Sequence, residues 1–83
     1  MSFEIKFSKQ ASKFILSLSE NIKDRIKSKF SEVAINPFRF LEHYEGDTCY
    51  KLRIGDFRAL IDIDFNEKTL FVRVFDKRRR IYK

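Results

Sequence analysis

Apolar and polar positions alternate over residues 3–8, which read FEIKFS. This period of two predicts a half-buried strand at the start of the chain. The spacing of apolar positions then changes to three and four, at Ala11, Phe14, Ile15 and Leu18. Ser8 stands where an N-cap is expected, so a helix is predicted to follow the strand directly.

A second helix is predicted after the segment SLSEN at residues 17–21. Ser17 and Glu20 have the spacing of a capping box, and Ser19 is an alternative cap. The apolar stripe of this helix is Ile22, Ile26, Phe30 and Val33, and the helix is expected to end at Asn36 because Pro37 follows. The two helices form a predicted hairpin whose charged positions, which include Lys23, Arg25, Lys27 and Lys29, are interpreted as solvated surface.

Strand-like alternation returns after residues 37–47, which are interpreted as a loop. The segments TCYKLRI, FRALIDIDF and TLFVRVF alternate between apolar and polar positions, with turn residues at 55–56 and 66–67. These segments predict a three-stranded antiparallel meander. The expected fold class is therefore α+β, with an N-terminal strand, a helical hairpin and the meander, the helices covering one face of the sheet and a basic cleft occupying the other.

The turn positions determine which side chains share a face of this sheet. A turn at 55–56 places Arg53 opposite Arg58. A turn at 66–67 places Phe75 opposite Arg58 and Arg73 opposite Leu60. The face away from the helices then collects Lys51, Arg53, Arg58, Phe71, Arg73 and Phe75. Since like charges opposed across strands are destabilising, an anion held between Arg53 and Arg58 is the expected reason for their pairing.

The charge distribution supports an anionic partner. The net charge is +6, and residues 50–83 carry ten Lys or Arg against five Asp or Glu. Such an asymmetry is typical of proteins that bind nucleic acid, an acidic protein or an anionic membrane surface. The charge alone does not identify which of these three is the partner. The C-terminal residues Lys77, Arg78, Arg79, Arg80 and Tyr82 are expected to form one wall of an anion-binding cleft.

Length and composition restrict the class of protein. The 83 residues are 43% hydrophobic and contain one cysteine, Cys49. These values predict a single domain over residues 1–83, without an intramolecular disulfide, and the absence of a long apolar run predicts a cytoplasmic location. His43 has no metal-ligating neighbours at the usual spacing, so neither a metal site nor a cofactor is expected. Asp62 and Asp64 are interpreted as balancing the basic surface.

The order of elements, together with YKLRIGDFRALIDID and LFVRVFDKRRRIY, resembles the RelE/ParE toxin superfamily over almost the whole chain. The basic tail with its tyrosine is similar to the RelE branch. This resemblance implies a metal-independent endoribonuclease that cleaves mRNA in the ribosomal A site. The partners it implies are the ribosome, mRNA and a neutralising RelB-type antitoxin, with no membrane and with DNA reached only indirectly through an antitoxin complex.

The resemblance assigns the roles of the family's functional residues to the matching positions of this sequence. The resemblance implies that Lys51, Arg53, Arg58, Arg78 and Tyr82 are catalytic, as general base or phosphate contacts, as stabilisers of the cleaved phosphate and as a stacking platform. RNA binding is expected from Arg73, Phe75, Lys77, Arg79 and Arg80. Attack by a ribose 2′-hydroxyl needs a base, and a lysine is nearly fully protonated at neutral pH. Poor activity on free RNA is therefore expected, with the ribosome supplying the alignment.

Two other functions remain open at this level. The ParE branch shares the scaffold and inhibits DNA gyrase without cutting RNA. A non-enzymatic RNA-binding module could use the same sheet, with basic residues on phosphates and Phe71 or Phe75 stacked on bases.

Overall fold

A computed structural model describes residues 2–43 and 49–77. The elements in chain order are β1 (Glu4–Phe7), α1 (Lys9–Leu16), α2 (Glu20–Ile35), α3 (Pro37–Phe40), β2 (Glu42–His43), β3 (Tyr50–Ile54), β4 (Phe57–Asp64) and β5 (Thr69–Lys77). The strands form one sheet in the order β1-β5-β4-β3-β2, in which β1 is parallel to β5 and the other pairs are antiparallel. The predicted α+β class is confirmed.

The helix boundaries follow from their caps. Ser8 Oγ accepts a hydrogen bond from the Ala11 backbone N–H at 3.1 Å, as the sequence predicts for the start of α1. Ser19, rather than Ser17, caps α2 by accepting from the Ile22 N–H at 3.5 Å. Ser17 instead ends α1. Pro37 begins the short helix α3, so the segment predicted as a loop contains both α3 and β2.

The hydrophobic core lies between the helices and one face of the sheet. Helix α2 contributes Ile26, Phe30 and Val33, which pack with the strand residues Leu52, Ala59, Ile61, Leu70, Val72 and Phe75. The Phe75 ring lies within 6.0 Å of the Phe30 ring, centroid to centroid, and it also contacts Phe14 and Phe57. The opposite face of the sheet, which we call the open face, is left for polar side chains. Within the described ranges, no helix is both long enough and apolar enough to cross a membrane.

The first hairpin has the predicted register. Arg53 lies directly opposite Arg58, and Lys51 lies opposite Leu60. Gly55 has a φ of 57°, in the left-handed region that glycine adopts without steric cost. A two-residue turn with this conformation fixes the pairing of the strands on either side of it.

The second hairpin departs from the predicted register halfway along. Near the turn, Ile61 pairs with Val72 as predicted, but a β-bulge between Leu60 and Ile61 shifts the remaining pairs by one residue. Arg58 therefore faces Asp76, and Leu60 faces Val74. The predicted pairs of Arg58 with Phe75 and of Leu60 with Arg73 are wrong.

Hydrogen bonds from α1 hold the shifted part of β5. Ser8 Oγ donates to the carbonyl oxygen of Arg73 at 2.6 Å. The Gln10 side-chain amide donates to the Phe75 carbonyl oxygen and accepts from the Phe75 N–H, both at 3.0 Å. These bonds continue the pairing that β1 ends at Phe7, because they satisfy the β5 backbone on the edge where no described strand pairs with it any longer.

Candidate functional site

A basic cavity lies at the β2–β3 end of the sheet. Its volume is about 330 Å³, and residues of five elements line it, namely Lys29, Phe40, Glu42, Lys51, Leu52, Arg53 and Arg58. Four of these residues are cations and one is a carboxylate. The predicted grouping of Lys51, Arg53 and Arg58 is confirmed. The first hairpin accounts for it, since its register places the three on neighbouring positions of β3 and β4.

Arg58 is the most buried member of this cluster, with an exposed fraction of 5%. A guanidinium removed from water is costly unless opposite charge or hydrogen bonds accompany it. The bulge places Asp76 directly opposite Arg58 on β5, while Arg53 stands opposite it on β3. The register thus gives Arg58 one acidic and one basic neighbour, and a phosphate on the Arg53 side would balance the second.

Glu42 brings a carboxylate to the same cavity. Strand β2 pairs Glu42 with Lys51, and Glu42 Oε1 lies 3.6 Å from Lys51 Nζ. The ion pair is partly exposed, so its contribution to stability is small. Its local effect is to offset part of the Lys51 charge. Sequence reasoning missed Glu42 because residues 37–47 show no strand periodicity.

Lys29 reaches the cavity from α2. Its side chain is half-buried, and Nζ lies 4.5 Å from the centroid of the Phe40 ring. This distance is within the range of a cation–π contact. The sequence interpretation of Lys29 as solvated surface is wrong. One signal could have found it, because Lys29 follows Ile26 by three residues and precedes Val33 by four, which puts it on the flank of the buried stripe.

The structure does not bring Arg73 into the basic cavity. Arg73 Nε lies 3.5 Å from Asp62 Oδ2, which supports the interpretation of Asp62 as balancing charge. Phe71, which is 39% exposed, lines a separate cavity of about 290 Å³, where one cation, Lys6, lies among four carboxylates, those of Glu4, Asp62, Asp64 and Glu67. Acidic side chains repel phosphates, so this end of the open face is unsuited to an RNA backbone.

Phe75 is the clearest correction to the predicted site. Its side chain is fully buried, because the bulge turns it into the core instead of onto the open face. The predicted place of Phe75 on the open face, as a residue that binds RNA, is therefore wrong. The same shift places Lys77 opposite Phe57, whose ring contacts the helical residue Phe14, so Lys77 is on the helical side at the end of β5. The predicted residues Arg78, Arg79, Arg80 and Tyr82 lie outside the described residues.

Metal ligands are not gathered in the parts of the chain that the structure describes. No group of three or more His, Cys, Asp and Glu side chains there is close enough to hold an ion. The buried Cys49 begins the segment that leads into β3, and His43 packs its ring against Tyr50 with centroids 5.3 Å apart. The chemistry that the described cluster offers is that of fixed positive charge.

Comparison with known proteins gives one family and one fold. Residues 5–81 match a family model described as the ParE toxin of a type II toxin–antitoxin system. A comparison with curated proteins found no match. The fold is similar to that of the toxin–antitoxin complex RelBE2 from Mycobacterium tuberculosis, with 21% identity, a TM-score of 0.80, and coverage of 94% of this chain and 100% of that chain.

Two further solved structures have a similar fold. The archaeal RelE–RelB complex from Pyrococcus horikoshii has 23% identity and a TM-score of 0.77, over 96% of this chain and 99% of that chain. The intact RelBE toxin–antitoxin complex of E. coli has 20% identity and a TM-score of 0.77, over 92% of this chain and 96% of that chain. At these identities the likeness shows a shared fold.

Proposed function

Because this chain belongs to the RelE/ParE superfamily of type II toxin–antitoxin toxins, we propose that it is a ribosome-dependent endoribonuclease that cleaves mRNA in the A site. The basic cavity is the observation that carries the proposal. Lys51, Arg53 and Arg58 converge there, although opposed like charges weaken a sheet. A bound phosphate accounts for a cluster that folding alone disfavours.

The proposed reaction uses a nucleophile that the RNA itself supplies. The ribose 2′-oxygen attacks the adjacent phosphorus, so a 2′-O–P bond forms and the P–O5′ bond breaks. The 2′-hydroxyl proton passes to a base, and the leaving 5′-oxygen takes up a proton. The products are a 2′,3′-cyclic phosphate and a 5′-hydroxyl end, and no oxidant or co-reactant is needed.

The residues of the cavity divide these tasks. Lys51 is the candidate base or a phosphate contact, and Arg53 and Arg58 stabilise the charge that develops on the non-bridging oxygens. By the family resemblance, Arg78 and Tyr82 complete the site. Since the amine is a weak base, the ribosome must align the 2′-oxygen and the phosphorus, and such alignment lowers a barrier by roughly 7–11 kcal/mol.

The proposed inhibitor is a RelB-type antitoxin. The similar toxins from M. tuberculosis, P. horikoshii and E. coli were each solved in complex with their antitoxin partners. The fold offsets this cluster only in part, through Glu42 and Asp76, so full neutralisation must come from outside the domain. An acidic segment of the antitoxin laid over Lys51, Arg53 and Arg58 would remove the anion site through charge complementarity.

Mapping of mRNA ends tests the proposal. Purified protein is added to ribosomes that translate a defined message, and the new ends are located and their chemistry determined. We expect cuts within the A-site codon whose downstream fragments carry 5′-hydroxyl ends. An uncut message at protein concentrations that bind the ribosome would refute the nuclease.

Gyrase inhibition is the second candidate, since the family model that matches the chain is that of the ParE toxin. A supercoiling assay with purified DNA gyrase separates the two functions. Inhibited supercoiling together with an intact message would favour the gyrase inhibitor over the nuclease.

A further inference from the structure

Among the described residues, those of β2 pair with only part of the outer edge of β3. Strand β2 pairs with β3 at Tyr50 and Lys51, and β3 continues for three residues, to Ile54, beyond these pairs. A second groove, of about 720 Å³, lies along this stretch between α2 and the β3–β4 turn. Its cationic lining consists of Arg25, Lys29 and Arg53.

The groove and the basic cavity share a boundary. Lys29 and Arg53 line both of them. A polynucleotide carries a phosphate on every nucleotide, so a strand whose scissile phosphate lies near Lys51 and Arg58 has further phosphates to place nearby. The shared cations are positioned to receive one of these.

We propose that the groove is a second RNA subsite, in which Lys29 and Arg25 hold backbone phosphates next to the one that is cleaved. This inference rests on the proposed nuclease function and deepens it by giving the RNA strand a path. The strand leaves the basic cavity past Arg53 and runs along α2. Lys29 and Arg25 fix its position and take no part in the chemistry.

The burial and packing of its side chain distinguish Lys29 from an ordinary surface lysine. Its half-buried side chain and its contact with Phe40 restrict the position of the ammonium, which reduces the entropy lost when a phosphate binds. Within residues 2–43 and 49–77, the ammonium of Lys29 forms no ion pair, whereas Lys23 on the same helix is 2.9 Å from Glu20 Oε1. Among the described residues, no ion pair of Lys29 has to be broken before an anion binds it.

Acidic residues in the groove limit where the RNA strand can lie. Asp24 and Glu32 also line the groove, on the same helix as Arg25 and Lys29. They repel a phosphate backbone, so the strand is expected to keep to the side of Lys29 and Arg53. RNA is the proposed occupant because Lys29 and Arg53 join the groove to the basic cavity, where the same strand places its scissile phosphate.

Lys29→Met tests the subsite, with Lys27→Met as its matched control. Methionine keeps an apolar stem against Phe40 and removes the charge. Lys27 is on the same helix, is exposed, and lines a different, largely apolar groove between α1, α2 and β1. The probe is a fluorescent, 2′-O-methylated RNA oligonucleotide that cannot be cleaved, and its anisotropy is measured over a range of salt concentrations.

We expect Lys29→Met to weaken binding by roughly three- to tenfold and to reduce the salt slope by about 0.7, the value for one phosphate contact on a single strand. Lys27→Met should change the affinity by less than about twofold, and Lys29→Arg should restore it. Equal effects of Lys29→Met and Lys27→Met would overturn the subsite. Loss of affinity for an acidic antitoxin peptide without loss of affinity for RNA would assign the groove to the protein partner.

A second variant keeps the test decisive if Lys29→Met unfolds. Arg25 is exposed, so Arg25→Gln should weaken RNA binding without a change in thermal unfolding. The A-site cleavage assay on the wild-type protein separates the two hypotheses. If the message stays uncut while RNA binding depends on Lys29 and Arg25, the nuclease proposal fails and the groove remains an RNA-binding site without a cleaved phosphate beside it. If the message is cut and neither variant differs from Lys27→Met, the subsite alone fails.

Discussion

At the scale of single residues, the cations of the basic cavity differ in how much they contribute to the stability of the fold. Arg58 is buried and has Asp76 opposite it, so its replacement disturbs the fold as well as any bound phosphate. Lys51 is half-exposed, and its ion pair with Glu42 contributes little to stability. Lys51 is therefore the residue at which a loss of activity can be separated from a loss of folding.

Lys51→Met is expected to reduce A-site cleavage by about 10²- to 10⁴-fold, the range of general acid–base catalysis, while RNA binding falls by less than about tenfold. The matched control is Lys6→Met, which removes the same charge from β1 at the acidic end of the open face. Cleavage rates on ribosomes and anisotropy with uncleavable RNA are the two measurements. Equal losses of cleavage and binding would indicate that Lys51 contributes charge only.

Glu42→Gln is expected to tighten the binding of uncleavable RNA by roughly threefold, because the carboxylate competes with phosphate for Lys51. The amide is of the same size and leaves β2 in place. Glu4→Gln is the control, since it raises the net charge by the same amount on the exposed strand β1, where Glu4 lines the acidic cavity. If both variants tighten binding equally, the effect is one of net charge and Glu42 has no special position.

At the scale of elements, the bulge in the β4–β5 hairpin decides which side chains reach the cavity. Without it, Phe75 would lie on the open face beside Arg58, and Val74 would fill the core. The Gln10 amide binds the β5 backbone at Phe75, beyond the bulge, and the Ser8 hydroxyl at the N-cap of α1 binds it at Arg73, in the bulge, so the first turn of α1 supports the shifted register. The contents of the open face therefore depend on a contact between the first helix and the last strand.

Phe75→Ala is expected to destabilise the protein by about 3–5 kcal/mol, the usual cost of removing a buried aromatic ring. Phe71→Ala should cost less than about 1 kcal/mol, since its ring is 39% exposed at the acidic end of the open face. Urea unfolding of both variants measures the difference. A loss for Phe75→Ala as small as that for Phe71→Ala would mean that Phe75 lies on the open face and that the bulge is absent in solution.

The two hairpins show which parts of this fold the sequence could predict. Gly55 and Asp56 form a two-residue turn, so local chemistry fixes the pairing of Arg53 with Arg58. The sequence of the second hairpin is compatible with two strand registers, because either Val74 or Phe75 can occupy the core position. Contacts from α1, which lie 65 residues away in sequence, choose between them. No period-two pattern contains that information.

The same distinction holds for the site. Lys51, Arg53 and Arg58 were predictable because they belong to adjacent strands joined by a defined turn. Glu42 and Lys29 were not. Glu42 enters through a two-residue strand in a segment without periodicity, and Lys29 enters through the docking of α2 and α3 against the end of the sheet. Side chains that reach the site through tertiary packing can be assigned to it only from the structure.

At the scale of the whole molecule, the open face is electrically polarised. At its basic end, Lys51, Arg53 and Arg58 outnumber one carboxylate, Glu42. At its acidic end, four carboxylates, those of Glu4, Asp62, Asp64 and Glu67, outnumber one lysine, Lys6. A net charge of +6 attracts the protein to RNA in general, while the acidic end repels phosphates locally. This polarity limits the orientations in which the protein can approach a strand, so it favours presentation of the basic cavity.

Attraction and orientation do not by themselves cleave a strand. A lysine base is nearly fully protonated at neutral pH, and free RNA rarely places its 2′-oxygen in line with the scissile bond. We therefore expect the wild-type protein to cut a message held in the A site at least about 10³-fold faster than the same sequence free in solution, since alignment is worth roughly 7–11 kcal/mol. The measurement compares single-turnover rates on the two substrates at equal salt. Ribosomes whose A site is blocked by a bound tRNA serve as the control and should protect the message. Comparable rates on free and ribosome-bound RNA would mean that the cations of this chain align the strand unaided, and the dependence on the ribosome would then have to be abandoned.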